Sequence, residues 1–244
     1  MSPLFLCDRF DFKEVSCLND HNKIVTATML AAVETGGQVY GQARWDDYTA
    51  PMTNSDKEFT CTLGAYAFYG DEAEELIRMI LKADPEIFRA LDDGRIQGML
   101  GVNWVDVRYW PDDSEIRALR ALISTETGIR CQKQLMSKVR LPKYIARAEE
   151  RGVTDEAAQM MWCEIQHLGG LGPTQRVFGR CQGNYSLDNI MAALSQDQAD
   201  TRYLHNGVGA KKYWSRHEAC VRMIREHADL SDPDSKAVYL QIGE

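Results

Sequence analysis

No run of about 18 apolar residues occurs in the chain, so the sequence offers no helix able to span a membrane. Basic residues are too few to dominate: 28 Lys and Arg stand against 36 Asp and Glu, a net charge of −8. No basic stripe can then offset phosphate repulsion, and nucleic acid is not an expected partner. The locally basic segment RALRALISTETGIR is broken by acids and reads as a solvated helix face. Paired cysteine spacing is missing as well. Seven cysteines, an odd number without a CxxC, point to reduced thiols in a cytosol where the protein is made. Cys163 with His167, and His217 with Cys220, have helical spacing but read as buried thiols beside helix-terminal histidines, so neither a metal nor another cofactor is expected. GxxxxGK[ST] and GxGxxG are both absent, and GVGAKK lacks a preceding strand, which removes the common nucleotide-binding loops. The N-terminus, MSPLFLCDRFDFKE, has no basic head and too short an apolar run for a secretory signal. The expectation is a protein made in the cytoplasm without a signal peptide.

What is present is an ordinary globular composition, 44% hydrophobic and 26% charged over 244 residues, with neither repeat nor low-complexity linker. Asn19 or Asp20 caps a helix through KIVTATMLAAVE that is apolar all round and therefore expected to be central, with Gly36 as its stop. QVYGQARW and FTCTLGAYAFYG, separated by the polar turn PMTNSDKE, predict a small antiparallel sheet. From Asp71 the pattern is helical: DEAEELIRMILKA, a helix opened by Pro85, one through Ile116–Leu122, and one over Leu135–Glu149 interrupted at Pro142. Thr154 is the expected cap of DEAAQMMWCEIQHL, which stops at Gly169-Gly170; SLDNIMAALSQ and KKYWSRHEACVRMIREHADL follow. The fold class is α+β, predominantly helical.

One stretch breaks a local rule. In VETGGQVYGQARWDDY an apolar helix ends on Glu34, where the carbonyl end already carries partial negative charge. An apolar helix, that negative terminus and burial under the β segment would all raise its pKa. A carboxyl group still protonated near neutral pH is what glycoside hydrolysis needs to protonate a leaving oxygen. An ionised partner in polar surroundings is the second requirement, and Asp46, Asp47, Asp56 and Glu58 are the candidates.

The run SDKEFTCTLGAYAFYGDEAEELIRMI resembles the segment after the catalytic Glu in phage-type peptidoglycan hydrolases, the endolysin catalytic domains of the lysozyme superfamily. There a Glu ends a helix before two glycines; an Asp, a small residue, a hydroxyl residue, an apolar residue and Gly, then aromatics, follow. The matching positions are Asp56, Thr62, Leu63, Gly64, Phe68 and Gly70. The layout is also similar to the superfamily's chitosanases, and YIARAEERGVTDEAAQMMWCEIQHLGGLG resembles the helix–turn–helix that completes the cleft. Together the two segments cover about a third of the chain. Where the family carries an aromatic–His pair, this chain has Phe68-Tyr69.

The resemblance implies a lysozyme-like fold in a single catalytic domain over residues 1–244. A buried catalytic helix and β excursion would lie at about 20–70, and a helical lobe at about 71–230. It implies a glycosidase that cuts peptidoglycan glycan strands after release from the cell. Glu34 would be the general acid, Asp56 the base or transition-state stabiliser, and Thr62 the hydroxyl that orients water or a carboxylate. Gly64 would let its strand pass close to the buried helix. Asp46 or Asp47 could take the base role. Trp45, Asp47, Tyr48, Tyr66 and Gln166 are expected at the substrate, with Tyr40 and His167 as further candidates, although at least half of the aromatics should belong to the core. A chitosanase and a non-catalytic glycan-binding or phage structural module are the alternatives. Muramidase, glucosaminidase and transglycosylase outcomes all stay open, as does the oligomeric state.

Overall fold

The computed structural model describes residues 18–35, 43–201, 208–209 and 211–228. Helix α1 spans Asp20–Glu34, and Asn19 caps it: its side-chain oxygen accepts the Asn22 backbone N–H at 2.8 Å. Val25, Met29, Leu30 and Val33 lie in the core, and α1 packs against two helices of the later half of the chain. The helix is not buried all round, because Ile24 is 40% exposed. Its expected stop, Gly36, lies outside the described residues. Thr35 closes the end instead: its hydroxyl donates to the Ala31 carbonyl at 3.3 Å and accepts from the Arg44 N–H at 3.0 Å. That hydroxyl ties the helix terminus to the start of the β segment.

Three two-residue strands follow, β1 (Tyr48–Thr49), β2 (Thr62–Leu63) and β3 (Phe68–Tyr69), antiparallel in the order β1-β2-β3. Tyr48 pairs with Leu63, Thr49 with Thr62, Thr62 with Tyr69, and Leu63 with Phe68. Alternation gives the sheet two faces. Leu63 and Phe68 are fully buried on one, and Thr49, Thr62 and Tyr69 are partly exposed on the other. The first described strand, β1, lies just after QVYGQARW, where a strand was expected. Residues 38–42 are outside the described set, and 43–47 form an irregular lead-in and turn. A strand of two residues leaves almost no periodic signal, and turn residues decided the register.

The helical lobe is built on α2 (Asp71–Ala83), with the predicted bounds. Asp71, Glu72 and Glu74 occupy its first turn, and Leu76, Ile77 and Ile80 are fully buried. Then come α3 (Pro85–Leu91), the short α4 (Arg95–Gly98) and α5 (Trp104–Val107), α6 (Asp113–Ser124) and α7 (Glu126–Leu135). A π-helical turn, Met136–Arg140, joins α7 to α8 (Leu141–Glu149). The interruption anticipated at Pro142 therefore falls just before it, and Pro142 sits in the first turn of α8, where its missing N–H costs nothing. Helix α9 (Glu156–Gly169) is capped by Asp155 rather than Thr154, through the Ala158 N–H at 2.8 Å. Every residue from 157 to 166 is buried, and α9 packs on α1, α8 and α10 (Leu171–Arg180). Helices α11 (Leu187–Thr201) and α12 (Lys211–His227) complete the helix-dominated α+β arrangement, with α12 against α1 and α9. Among the described residues no helix is long and apolar enough to cross a membrane, and the five described cysteines are buried and unpaired.

Candidate functional site

Three helices meet at Glu34. Helix α1 delivers it from its last turn, α9 brings Glu164 and His167, and α12 brings Arg216 and His217. Arg216 Nη1 donates to Glu34 Oε2 at 2.5 Å, while its Nε and Nη2 donate to the two oxygens of Glu164 at 2.8 Å each. This fork is the bidentate geometry that guanidinium groups favour. The Glu164 side chain is 0% exposed and that of Arg216 7%, whereas Glu34 keeps 21% of its surface open. His217 Nε2 donates to the Val208 carbonyl at 2.7 Å, which leaves Nδ1 facing Glu164 Oε1 at 3.3 Å. His167 Nε2 lies 3.6 Å from Glu34 Oε2, and Tyr144 OH stands 3.4 Å from its Nδ1.

This environment reverses the expectation for Glu34. Burial raises its pKa, as argued from the sequence, but the Arg216 charge and hydrogen bond, with a contribution from His167, outweigh burial and leave it lowered. Glu164 is also held low, because Arg216 and His217 overcome its burial. Burial in turn pushes His167 down to about 4, so at neutral pH it is uncharged and Arg216 alone supplies the positive charge beside Glu34. Glu34 is thus an anion in the free protein. The signal for Glu164 was in the sequence as a carboxylate inside an apolar helical stripe, the same kind of violation that singled out Glu34. Arg216 carried no comparable signal, being one of several cations along an amphipathic helix.

The candidate second carboxylates separate clearly. Asp56 is exposed in the turn between β1 and β2. Glu58 closes that same turn, accepting the Asn54 N–H at 3.3 Å. Asp46 is bound outward by Arg120 of α6 through both side chain and backbone carbonyl, and that pairing lowers its pKa. Asp47 differs. It sits half-buried at the entrance to β1, 3.3 Å from the Arg44 guanidinium. Burial raises its pKa; Arg44 and Arg120 oppose this, Asp46 and Glu34 add to it, and the net direction is up. Thr62, paired opposite Thr49, shares the sheet face that Asp47 continues by alternation, and the Gly64 N–H donates to the Asp47 carbonyl at 2.8 Å.

Of the expected substrate contacts, Trp45 is partly exposed, stacked edge-on to Tyr66 at 5.9 Å with Lys133 over its ring. Tyr66 is only 2% exposed and belongs to the core, which removes it as a free stacking surface. Tyr48 points to the opposite face from Asp47, and Tyr40 is outside the described residues. Gln166 is 4% exposed and accepts the Trp162 indole N–H at 2.8 Å, so it braces α9 internally, and its neighbour His167 is the residue that reaches Glu34. Gly64 spares room for the Gln132 amide of α7, not for α1: a Cβ there would lie 2.2 Å from Gln132 Oε1. Cys163 and Cys220 are fully buried, their thiols pushed up by burial, and the described residues form no group able to hold a metal ion. No protein-family model, no curated protein and no solved structure matches the chain.

Proposed function

We propose that the protein is a glycoside hydrolase acting on the glycan strands of bacterial peptidoglycan, with Glu34 and Asp47 as its two carboxyl groups. The observation that carries this reading is a pair of partly exposed carboxyls whose environments drive their proton affinities apart, Glu34 downward and Asp47 upward. Each also feels the protein's other charges within electrostatic range, and Glu34 itself contributes to the rise at Asp47. Glycosidic cleavage needs one carboxyl that gives up a proton and one that stays ionised, and these opposed directions suit that division. The resemblance of the 55–80 and 144–172 segments to phage-type peptidoglycan hydrolases supports the substrate class.

In this reading the roles are exchanged relative to the sequence expectation. Arg216 keeps Glu34 ionised, which suits the group that stabilises an oxocarbenium-like transition state or activates water. Asp47, retaining its proton to higher pH, donates it to the leaving oxygen. Thr62, on the sheet face that Asp47 continues, orients the water.

The test is product analysis on purified peptidoglycan with wild type, Glu34→Gln and Asp47→Asn, reading muropeptides by mass spectrometry after borohydride reduction. Wild type should release new reducing ends, and both variants should lose at least 100-fold in rate, the scale of one acid–base or electrostatic group. An aryl glycoside, whose leaving group needs no proton, then separates the roles. Asp47→Asn should recover on it while Glu34→Gln does not; the reverse pattern returns the acid role to Glu34. Release from chitosan alone would change the substrate class. No release from either polymer by wild type would overturn the enzyme reading in favour of a binding module.

A further inference from the structure

Gln132 is polar, fully buried and committed to groups far from it in sequence. Its Oε1 accepts the Ala65 backbone N–H at 2.8 Å, between β2 and β3. Its Nε2 donates to the Trp45 carbonyl at 3.0 Å and to the Ile123 carbonyl of α6 at 2.9 Å. One amide therefore holds the segment entering β1, the turn leaving β2 and the end of α6. Two of these anchors bracket Asp47: Trp45 stands two residues before it, and Ala65 follows Gly64, whose N–H binds the Asp47 carbonyl. Gly64 is shaped to this amide. It has a φ of +75°, and a side chain there would run into the Gln132 carboxamide.

Helix α7 has its own reasons to place Gln132 here. Thr125 caps it through the Gly128 N–H at 2.9 Å, and Gly128 lets the helix start pass directly against the Leu122 and Ile123 carbonyls. The carbonyls of Ile123 and Trp45 would otherwise face a buried apolar side chain, and a buried carbonyl without a donor is costly. A side chain that satisfies three backbone groups at once, across two loops and a helix, defines their relative positions more tightly than apolar packing would.

Resting on the glycosidase reading, we propose that Gln132 is the positioning residue of the second carboxyl group, holding the β1 entrance so that Asp47 faces the glycan at a fixed place beside Glu34. Gln132 touches neither substrate nor reacting atoms; it acts through the backbone on either side of Asp47. The charged groups that face Asp47 are Arg44 and Asp46 from its own segment, Arg120 from α6 and Glu34 from α1. All but Glu34 sit on or against the pieces that Gln132 joins.

The experiment compares wild type with Gln132→Met, which keeps volume and removes every hydrogen bond, and with Gln132→Asn, which keeps donor and acceptor one carbon back. Two readouts are taken: steady-state turnover of soluble glycan fragments, and the titration of the Asp47 carboxyl by carbon-detected NMR. We expect Gln132→Met to lose 10-fold or more in kcat with KM changed less than threefold, to shift the pH limb of activity, and to move the Asp47 titration toward that of an ordinary aspartate. Gln132→Asn should fall between Met and wild type. If the methionine variant does not fold, the asparagine variant alone decides, since its Asp47 titration and kcat must move together. Wild-type kcat, pH limb and Asp47 titration in a folded variant would overturn the proposal and leave Gln132 as a packing residue. A wild type without glycan turnover would overturn the glycosidase reading, and an Asp47 titration that still moves with Gln132 would identify the failure as one of chemistry rather than of positioning.

Discussion

His167 illustrates how one side chain sets a pH limit. Its ring is 2% exposed, its Nε2 has no hydrogen-bond partner, and burial holds its folded pKa near 4 against 6.5 in the unfolded chain. Between those values the unfolded chain binds more protons than the folded one, so stability falls as pH drops from about 6.5 to 4 and is fully present above that window. The shift corresponds to roughly 3 kcal/mol. Urea melts from pH 4 to 7 should show that slope in wild type and lose most of it in His167→Gln; parallel curves would mean that His167 is protonated in the folded state. At this scale the sequence was half legible. The position of Glu34 marked the charged cluster of α1, α9 and α12, because a carboxylate at a helix carbonyl end is a local violation. The direction of its pKa was not legible, because the deciding charge belongs to a residue 182 positions away.

Elements were legible where their signal is local and repeated. In α2, acids in the first turn and Leu76, Ile77 and Ile80 at helical spacing fix both ends; in α1 the cap at Asn19 fixes the start. The β excursion was less legible, since its strands are two residues long and its position depends on Gln132, a residue of α7. The joint between α6 and α7 makes a sharper prediction. A Cβ on Gly128 would lie 2.2 Å from the Leu122 carbonyl oxygen and 2.6 Å from that of Ile123, and backbone cannot yield as a side chain can. Gly128→Ala should therefore cost about 2–3 kcal/mol, on the scale of overpacking, despite alanine's better helix propensity. A lower denaturation midpoint with unchanged m-value is the expected result. A midpoint equal to or above wild type would show that the two helices can separate without penalty.

For the whole molecule, the cluster of Glu34, Glu164 and Arg216 is the join between the first and last described helices. Arg216→Met strands Glu164 in the interior with only His217 beside it, and should destabilise by about 3–5 kcal/mol in chemical denaturation. Adding Glu164→Leu to that variant should restore most of the stability, because an apolar pair of similar volume replaces a buried ion pair. On the proposed glycosidase reading, glycan turnover should not return, since Glu34 still lacks its cation. Recovery of both together would mean that the Arg216–Glu34 contact is structural only. The pairing also acts as a clock. A chain leaving the ribosome at about 5–20 residues per second carries Glu34 for roughly 10–40 s before Arg216 is even synthesised. The cluster therefore acquires its charge balance only once α12 has been made.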